Sequence, residues 1–174
     1  MTVLPVSMAK VIIVNENDEI IGYKERGTEQ PTDIFRSTSL WITNSKDEVL
    51  LARRAWTKRG SPGKWGSSAG GIVEEHETYD TNVLKETEEE IGLKKIKPTK
   101  GPKLRLSSDH NSFSQFYFLM RDLPVHEFKL QASEVAEVRW FTKEELKKAF
   151  QQDPQQFTSS IKSYVEDILH TKTQ

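Results

Sequence analysis

Apolar and polar positions alternate in short runs over the first part of the chain. The segment "KVIIVNENDEIIGYKE" predicts two strands, over 10–14 and 19–24, joined by an Asn/Asp turn. "RSTSLWITNSKDEVLLARR" repeats the pattern, with strands over 37–43 and 48–53 around "NSKD". A Gly/Pro loop, "GSPGKWG", follows, and a short strand leads into Gly70 and Gly71.

The period then changes. A helix is expected over 78–91, with Gly92 as its left-handed cap, and Leu84, Thr87 and Ile91 form its anchoring face. Strands resume at "PKLRLSS", at "SFSQFYFLMRD", where aromatics fill both faces, and at "EVAEVRWF". Thr142 and Glu145 make a capping box for a helix over 143–150. After Pro154, a last helix over about 155–170 sets Phe157, Ile161, Tyr164, Val165, Ile168 and Leu169 at helical spacing, as a stripe that would lie on a sheet. The sum is an α/β chain: a mixed β-sheet flanked by helices on both faces, an α/β/α sandwich.

The 174 residues suit a single domain spanning 1–174, and no repeat or long linker divides them. No apolar run approaches the ~20 residues that cross a bilayer, and no secretory leader is evident, so a cytoplasmic protein with no membrane partner is expected. The absence of cysteine excludes disulfide scaffolds, thiolate metal sites and thiol nucleophiles.

Charge is what changes this picture. Net charge is −1, yet residues 74–90 hold eight acids and only Lys85 as a base, a local balance of −7 that leaves +6 elsewhere. Just upstream, Arg53, Arg54, Lys58, Arg59 and Lys64 fall within "ARRAWTKRGSPGK", with no acid. An acidic centre beside a basic rim suits a metal ion and a phosphorylated ligand, although charge runs more often form solvated faces. At 3.6 residues per turn, Glu86, Glu89 and Glu90 share one helix face while Glu88 points away. Three such carboxylates could ligate a hard cation such as Mg²⁺. A nucleic-acid partner fits poorly, because the acidic helix would repel a phosphate backbone.

The wider spacing carries a resemblance. Gly71, five spacers, Glu77, seven spacers, Lys85-Glu86, two spacers, Glu89-Glu90, one spacer, Gly92 and Leu93 closely resemble the box of the Nudix hydrolase family, over 71–93. Two positions depart from it: Lys85 stands for an arginine, and Thr87 for an apolar residue. Lysine lacks the planar fork by which that arginine braces a glutamate, but Lys85 could pair with Glu89 or reach Glu77.

The resemblance implies a divalent-metal-dependent hydrolase of a diphosphate linkage in a nucleoside diphosphate derivative or related pyrophosphate. Mg²⁺, with Mn²⁺ as an alternative, would be held by Glu86, Glu89, Glu90 and the Gly70 carbonyl. Gly71, Glu77, Lys85 and Gly92 would be structural within the box. Glu134 and Glu137 are loop candidates for the general base, beside the box glutamates, and His110 could meet a substrate. The run "RRAWTKRGSPGKW" resembles the branch that includes isopentenyl diphosphate isomerase, and implies diphosphate contacts from Arg36, Arg53, Arg54 and Lys58. Trp65 would be structural or would stack on a base. Gly70, Ile72 and Phe35 stand where that isomerase has its cysteine and two histidines, so hydrolysis is the expected reaction. A binding or sensing module without turnover is the alternative. The β-rich N-terminal segment could supply the edge of a homodimer.

Overall fold

Two hairpins of the same construction begin the fold. In each an asparagine side chain receives two backbone N–H bonds: Asn15 from Asn17 and Glu19, Asn44 from Lys46 and Glu48. An aspartate three residues on, Asp18 or Asp47, then adopts φ near 60°. The first turn joins β1 (Lys10–Val14) to β2 (Ile20–Glu25), and the second joins β3 (Ile34–Thr43) to β4 (Val49–Arg54). In this computed structural model the described residues are 9–107 and 111–169. His110 lies outside them.

The remaining elements are β5 (Trp65–Gly66), α1 (Tyr79–Ile91), β6 (Thr99–Leu106), β7 (Ser112–Met120), β8 (Val135–Phe141), α2 (Lys143–Gln152) and α3 (Ser159–Ser163). Strand β3 is the axis of the sheet. It runs parallel to β7 over nine residue pairs, from Phe35 with Ser112 to Thr43 with Met120. Its other edge is shared: β1 pairs with its start at Ile34 and Phe35, and β4 with its end at Ile42 and Thr43. A glycine-containing ribbon fills the gap between them, through the bridges Ser37 with Ile72 and Leu40 with Ala69. β6 extends the sheet beyond β7, and β8 pairs with β4.

Alternation along β3 and β4 sends side chains to two cores. Leu40, Ile42, Leu50 and Ala52 pack with Val83 and Ile91 of α1 on one face. Trp41, Val49 and Leu51 pack with Leu146 of α2 and Ile161 of α3 on the other. Each Val, Leu or Ile among them, fully buried, contributes about 1.5–3 kcal/mol of transfer free energy. The layers are therefore helix, mixed sheet, helix, the architecture that the hydropathy pattern predicts.

Three details differ from the sequence reading. Leu84 is 43% exposed, and Val83 takes its place in the core beside the buried Asn82, Thr87 and Ile91. Strand β3 starts at Ile34 rather than near 37. The C-terminal helix is broken: a single 3₁₀ turn at Pro154–Gln156 precedes α3, which then widens into i→i+5 turns over Tyr164–Leu169. Phe157, Ile161, Tyr164 and Val165 are buried as the stripe requires, and Trp41 stacks on Tyr164 at 3.9 Å. The side chains of Ile168 and Leu169 lie outside the described set.

The turn aspartate Asp18 ties four elements together. Its carboxylate accepts from Arg36 Nε at 2.7 Å, from Lys103 Nζ and from the Tyr79 hydroxyl, while its carbonyl accepts from Arg36 Nη2 at 2.6 Å. Burial would raise the Asp18 pKa, but the bonds from Lys103 and Arg36 outweigh it and hold the carboxyl below its usual range. A depressed native pKa contributes stability that is present above the unfolded value, near 3.9, and is lost as pH falls through the native one. Asp18→Asn is expected to cost about 1–3 kcal/mol at neutral pH and much less at pH 3, measured by urea unfolding at the two pH values.

Candidate functional site

Helix α1 is fixed at both ends before it presents any chemistry. Thr78 caps the N-terminus, exchanging bonds with Thr81, and Gly92 closes the C-terminus at φ 75°. Asn82, one turn before Glu86, is fully buried. Its side chain accepts from Thr38 Oγ1 at 2.6 Å and donates to the Ile72 carbonyl at 3.0 Å and to Glu77 at 2.9 Å. One amide thus joins α1, β3 and the ribbon.

The ribbon hydrogen-bonds in register to β3: Thr38 N donates to Gly71 O at 2.9 Å, and Leu40 N to Ala69 O at 2.8 Å. Its glycines are required by space. A Cβ on Gly70, which has φ 154°, would lie 2.1 Å from the Thr38 carbonyl oxygen. One on Gly71 would lie 2.5 Å from the Glu86 carboxyl carbon. The helix carboxylates therefore come to rest directly on backbone: Gly70 N donates to Glu90 Oε2 at 3.0 Å.

Glu86, Glu90, Gly70 and Gly71 line a cavity of about 160 Å³, with Arg26, Arg53, Arg54, Lys58 and Glu134 around them. Burial pushes Glu90 up to about 8, aided by the charges of Glu86 and Glu134 and opposed by the Gly70 N–H and by Arg54. Burial also raises Glu86; Lys85 opposes this and Glu89 adds to it. Glu89 itself is exposed and does not line the cavity, and Glu88 turns outward to Lys94 at 2.8 Å.

Lys85 reaches Glu77 at 2.6 Å, with Glu74 and Glu86 each at 3.4 Å; among the described residues it makes no ion pair with Glu89. Burial alone would raise Glu77, but bonds from Lys85, the Glu74 N–H and Asn82 hold it below the ordinary range. Glu77 and Lys85 form a brace behind the cavity and do not line it.

The basic residues separate into different environments. Arg53 donates to Glu137 at 3.0 Å and to the Gly63 carbonyl at 2.9 Å, and lies over the ring of Trp56. Lys58 meets Glu134 at 2.5 Å. Arg54 donates to the Gly60 carbonyl at 2.9 Å, and among the described residues no carboxylate lies within ion-pair distance of it. Burial depresses the Arg54 pKa, with Glu90 and Glu134 opposing. Arg36 is bound to Asp18 and does not line the cavity. Trp65 is 8% exposed, packs edge-on to Phe141 in the core and does not line the cavity, nor does Glu137.

Two residues escaped the sequence reading. Asn82 stands one turn before Glu86 and two before Glu90, so a polar residue in phase with the carboxylates was a usable signal. Arg26, at the end of the first hairpin, carried none, since only folding brings it to the cavity.

The fit of a metal ion follows from the donors. Among the described residues no three His, Cys, Asp or Glu side chains cluster closely enough to hold one. Glu86 and Glu90 nevertheless offer two hard oxygen donors whose charges burial and mutual repulsion disfavour. An oxygen-seeking divalent cation reverses both penalties, and Mg²⁺ binds through one or two carboxylates with waters and substrate phosphates completing its shell. The residues present fit such an ion.

Comparison with known proteins bears on the fold and the family. The chain is 30% identical over 137 residues to an uncharacterized Nudix hydrolase of Listeria monocytogenes, covering 77% of this chain and 80% of that protein. Its fold matches the crystal structure of DR0079 from Deinococcus radiodurans with a TM-score of 0.74 at 21% identity, over 94% of this chain and 99% of that one. It also matches a bifunctional NMN adenylyltransferase/ADP ribose pyrophosphatase from Francisella tularensis, complexed with AMP and a Mn ion, with a TM-score of 0.59 at 15% identity, over 79% of this chain and 41% of that one. The NUDIX domain model matches residues 34–161, and the chain belongs to that family.

Proposed function

We propose that this protein hydrolyses a diphosphate linkage in a nucleoside diphosphate derivative or a related pyrophosphate. The observation that carries the reading is one cavity lined both by a half-buried carboxylate pair, Glu86 and Glu90, and by Arg54, which has no carboxylate partner among the described residues. A divalent cation satisfies the first, and an anionic phosphoryl group the second. Glu86 and Glu90 are the assigned ligands, with the Gly70 carbonyl beside them, and Mg²⁺ or Mn²⁺ would supply a Lewis acid and a water of lowered pKa. The Mn ion bound in the Francisella relative supports the choice of a divalent metal.

The chain's own residues do the rest. Arg54 binds the phosphoryl oxygens and offsets charge that develops on the leaving group. The Gly70 N–H orients the Glu90 carboxylate. Glu134 is the candidate base from the later loop, held at the cavity by Lys58. Lys85 and Glu77 keep α1 and the ribbon in place. Isomerase chemistry is disfavoured, because Phe35, Gly70 and Ile72 all line the cavity and none can move a proton or bind a metal through its side chain.

Incubation of the wild type with a panel of nucleoside diphosphate derivatives, at alkaline pH with Mg²⁺ or Mn²⁺, is expected to release phosphorylated products. Silence across the whole panel would sink the hydrolase reading in favour of a binding module. Glu90→Gln is expected to retain its circular dichroism and lose activity at least ~100-fold; undiminished turnover would refute Glu90 as a ligand. In Gly71→Ala the added methyl displaces the Glu86 carboxylate, so a Mg²⁺ titration of activity should show roughly 10–100-fold weaker activation. A titration that matches the wild type would overturn the contact between Gly71 and Glu86.

A further inference from the structure

Arg26 reaches the cavity from outside the family-matched segment, which begins at residue 34. It directly follows β2, where its backbone N–H donates to the Ala9 carbonyl at 2.9 Å, and Gly27 turns the chain away at φ 94°. The side chain, 48% exposed, lines the same cavity as Arg54, Glu86 and Glu90. Nη1 donates to Glu74 at 2.9 Å.

Two features show that Glu74 does not exhaust this cation. Glu74 has a second partner, Lys85, at 3.4 Å, so its charge is not left alone if Arg26 moves. Arg26 is also close enough to Arg54 for the two to repel, and this contributes to the depressed pKa of Arg54. Two guanidinium groups thus face one cavity from separate elements, and one of them, Arg54, has no carboxylate partner among the described residues. An anion placed between them relieves the repulsion. A diphosphate carries anionic oxygens on two phosphorus centres and can span two planar forks at once.

We propose that Arg26 is a second anion-binding residue of the cleft, which leaves Glu74 to close with Arg54 on the diphosphate of the substrate. This rests on the diphosphate reading above and adds to it that the N-terminal hairpin is part of the site. Glu74 is then the counter-ion that holds Arg26 in the free protein and competes with the ligand for it.

The test is calorimetric binding of imidodiphosphate, a non-hydrolysable diphosphate, in the presence of Mg²⁺, so that turnover is not needed. Arg26→Ala should weaken binding roughly tenfold, and Arg26→Lys, which keeps the charge and can keep the Glu74 pair but loses the fork, should weaken it less. Glu74→Gln should bind at least as tightly as the wild type, because it removes the competitor. If Glu74→Gln instead weakens binding as Arg26→Ala does, Arg26 acts only by bracing α1 through Glu74, and the proposal fails. Unchanged binding in Arg26→Ala overturns it too. No binding by the wild type would sink the diphosphate reading itself, a result separable from failure of Arg26 alone.

Discussion

Everything in the site depends on a backbone surface that no side chain may cover. The ribbon at 68–73 is bonded to β3 along one edge and touched by the carboxylates of α1, and only glycine at positions 70 and 71 leaves room for both. A close approach of this kind converts two flexible glutamates into fixed ones: Glu90 is held by a backbone N–H, and Glu86 lies against an α-carbon. Asn82 sets the depth of the contact from the helix side through its bonds to three neighbours.

That contact has an electrostatic cost, which the surroundings offset unevenly. Behind the cavity, Lys85 is shared by Glu74, Glu77 and Glu86, so the brace is well satisfied. Inside it, Glu90 has no ion pair among the described residues, and Arg54, which lines the same cavity, has none either. A fold stable on its own terms would bring these two charges together or expose both. Leaving them unpaired and partly buried preserves their demand for external partners, a cation for one and an anion for the other.

How far the sequence reveals this depends on the range of the interaction. Helical phase puts Glu86, Glu89 and Glu90 on one face and Glu88 on another, of which only Glu86 and Glu90 line the cavity, and strand alternation assigns β3 and β4 to a sheet with two covered faces, because both are local periodicities. The anchoring face is shifted by one position: Val83, four and eight residues before Thr87 and Ile91, is buried with them, and Leu84 falls at the exposed edge of the stripe. Among basic residues, local pattern has little discriminating power. Arg36 looks equivalent to Arg54, but a turn aspartate eighteen positions earlier claims it. Arg26 looks like any surface arginine, and its position at the cavity depends on hairpin pairing that no short window contains.

The parallel pairing of β3 with β7 has a further consequence, for the order of assembly. Ser37 and Ser112 meet across this pair although 75 positions separate them in the chain. The ribbon, α1, Arg54 at the end of β4 and Lys58 in the loop after it all lie within that span. Closing so long a loop is entropically opposed until the pairing is complete, and parallel contacts of high sequence separation form slowly. The charged cavity is thus expected to close late in folding: α1 alone sets Glu86 beside Glu90, but Gly70, Arg54 and Glu134 join them only once the sheet has formed.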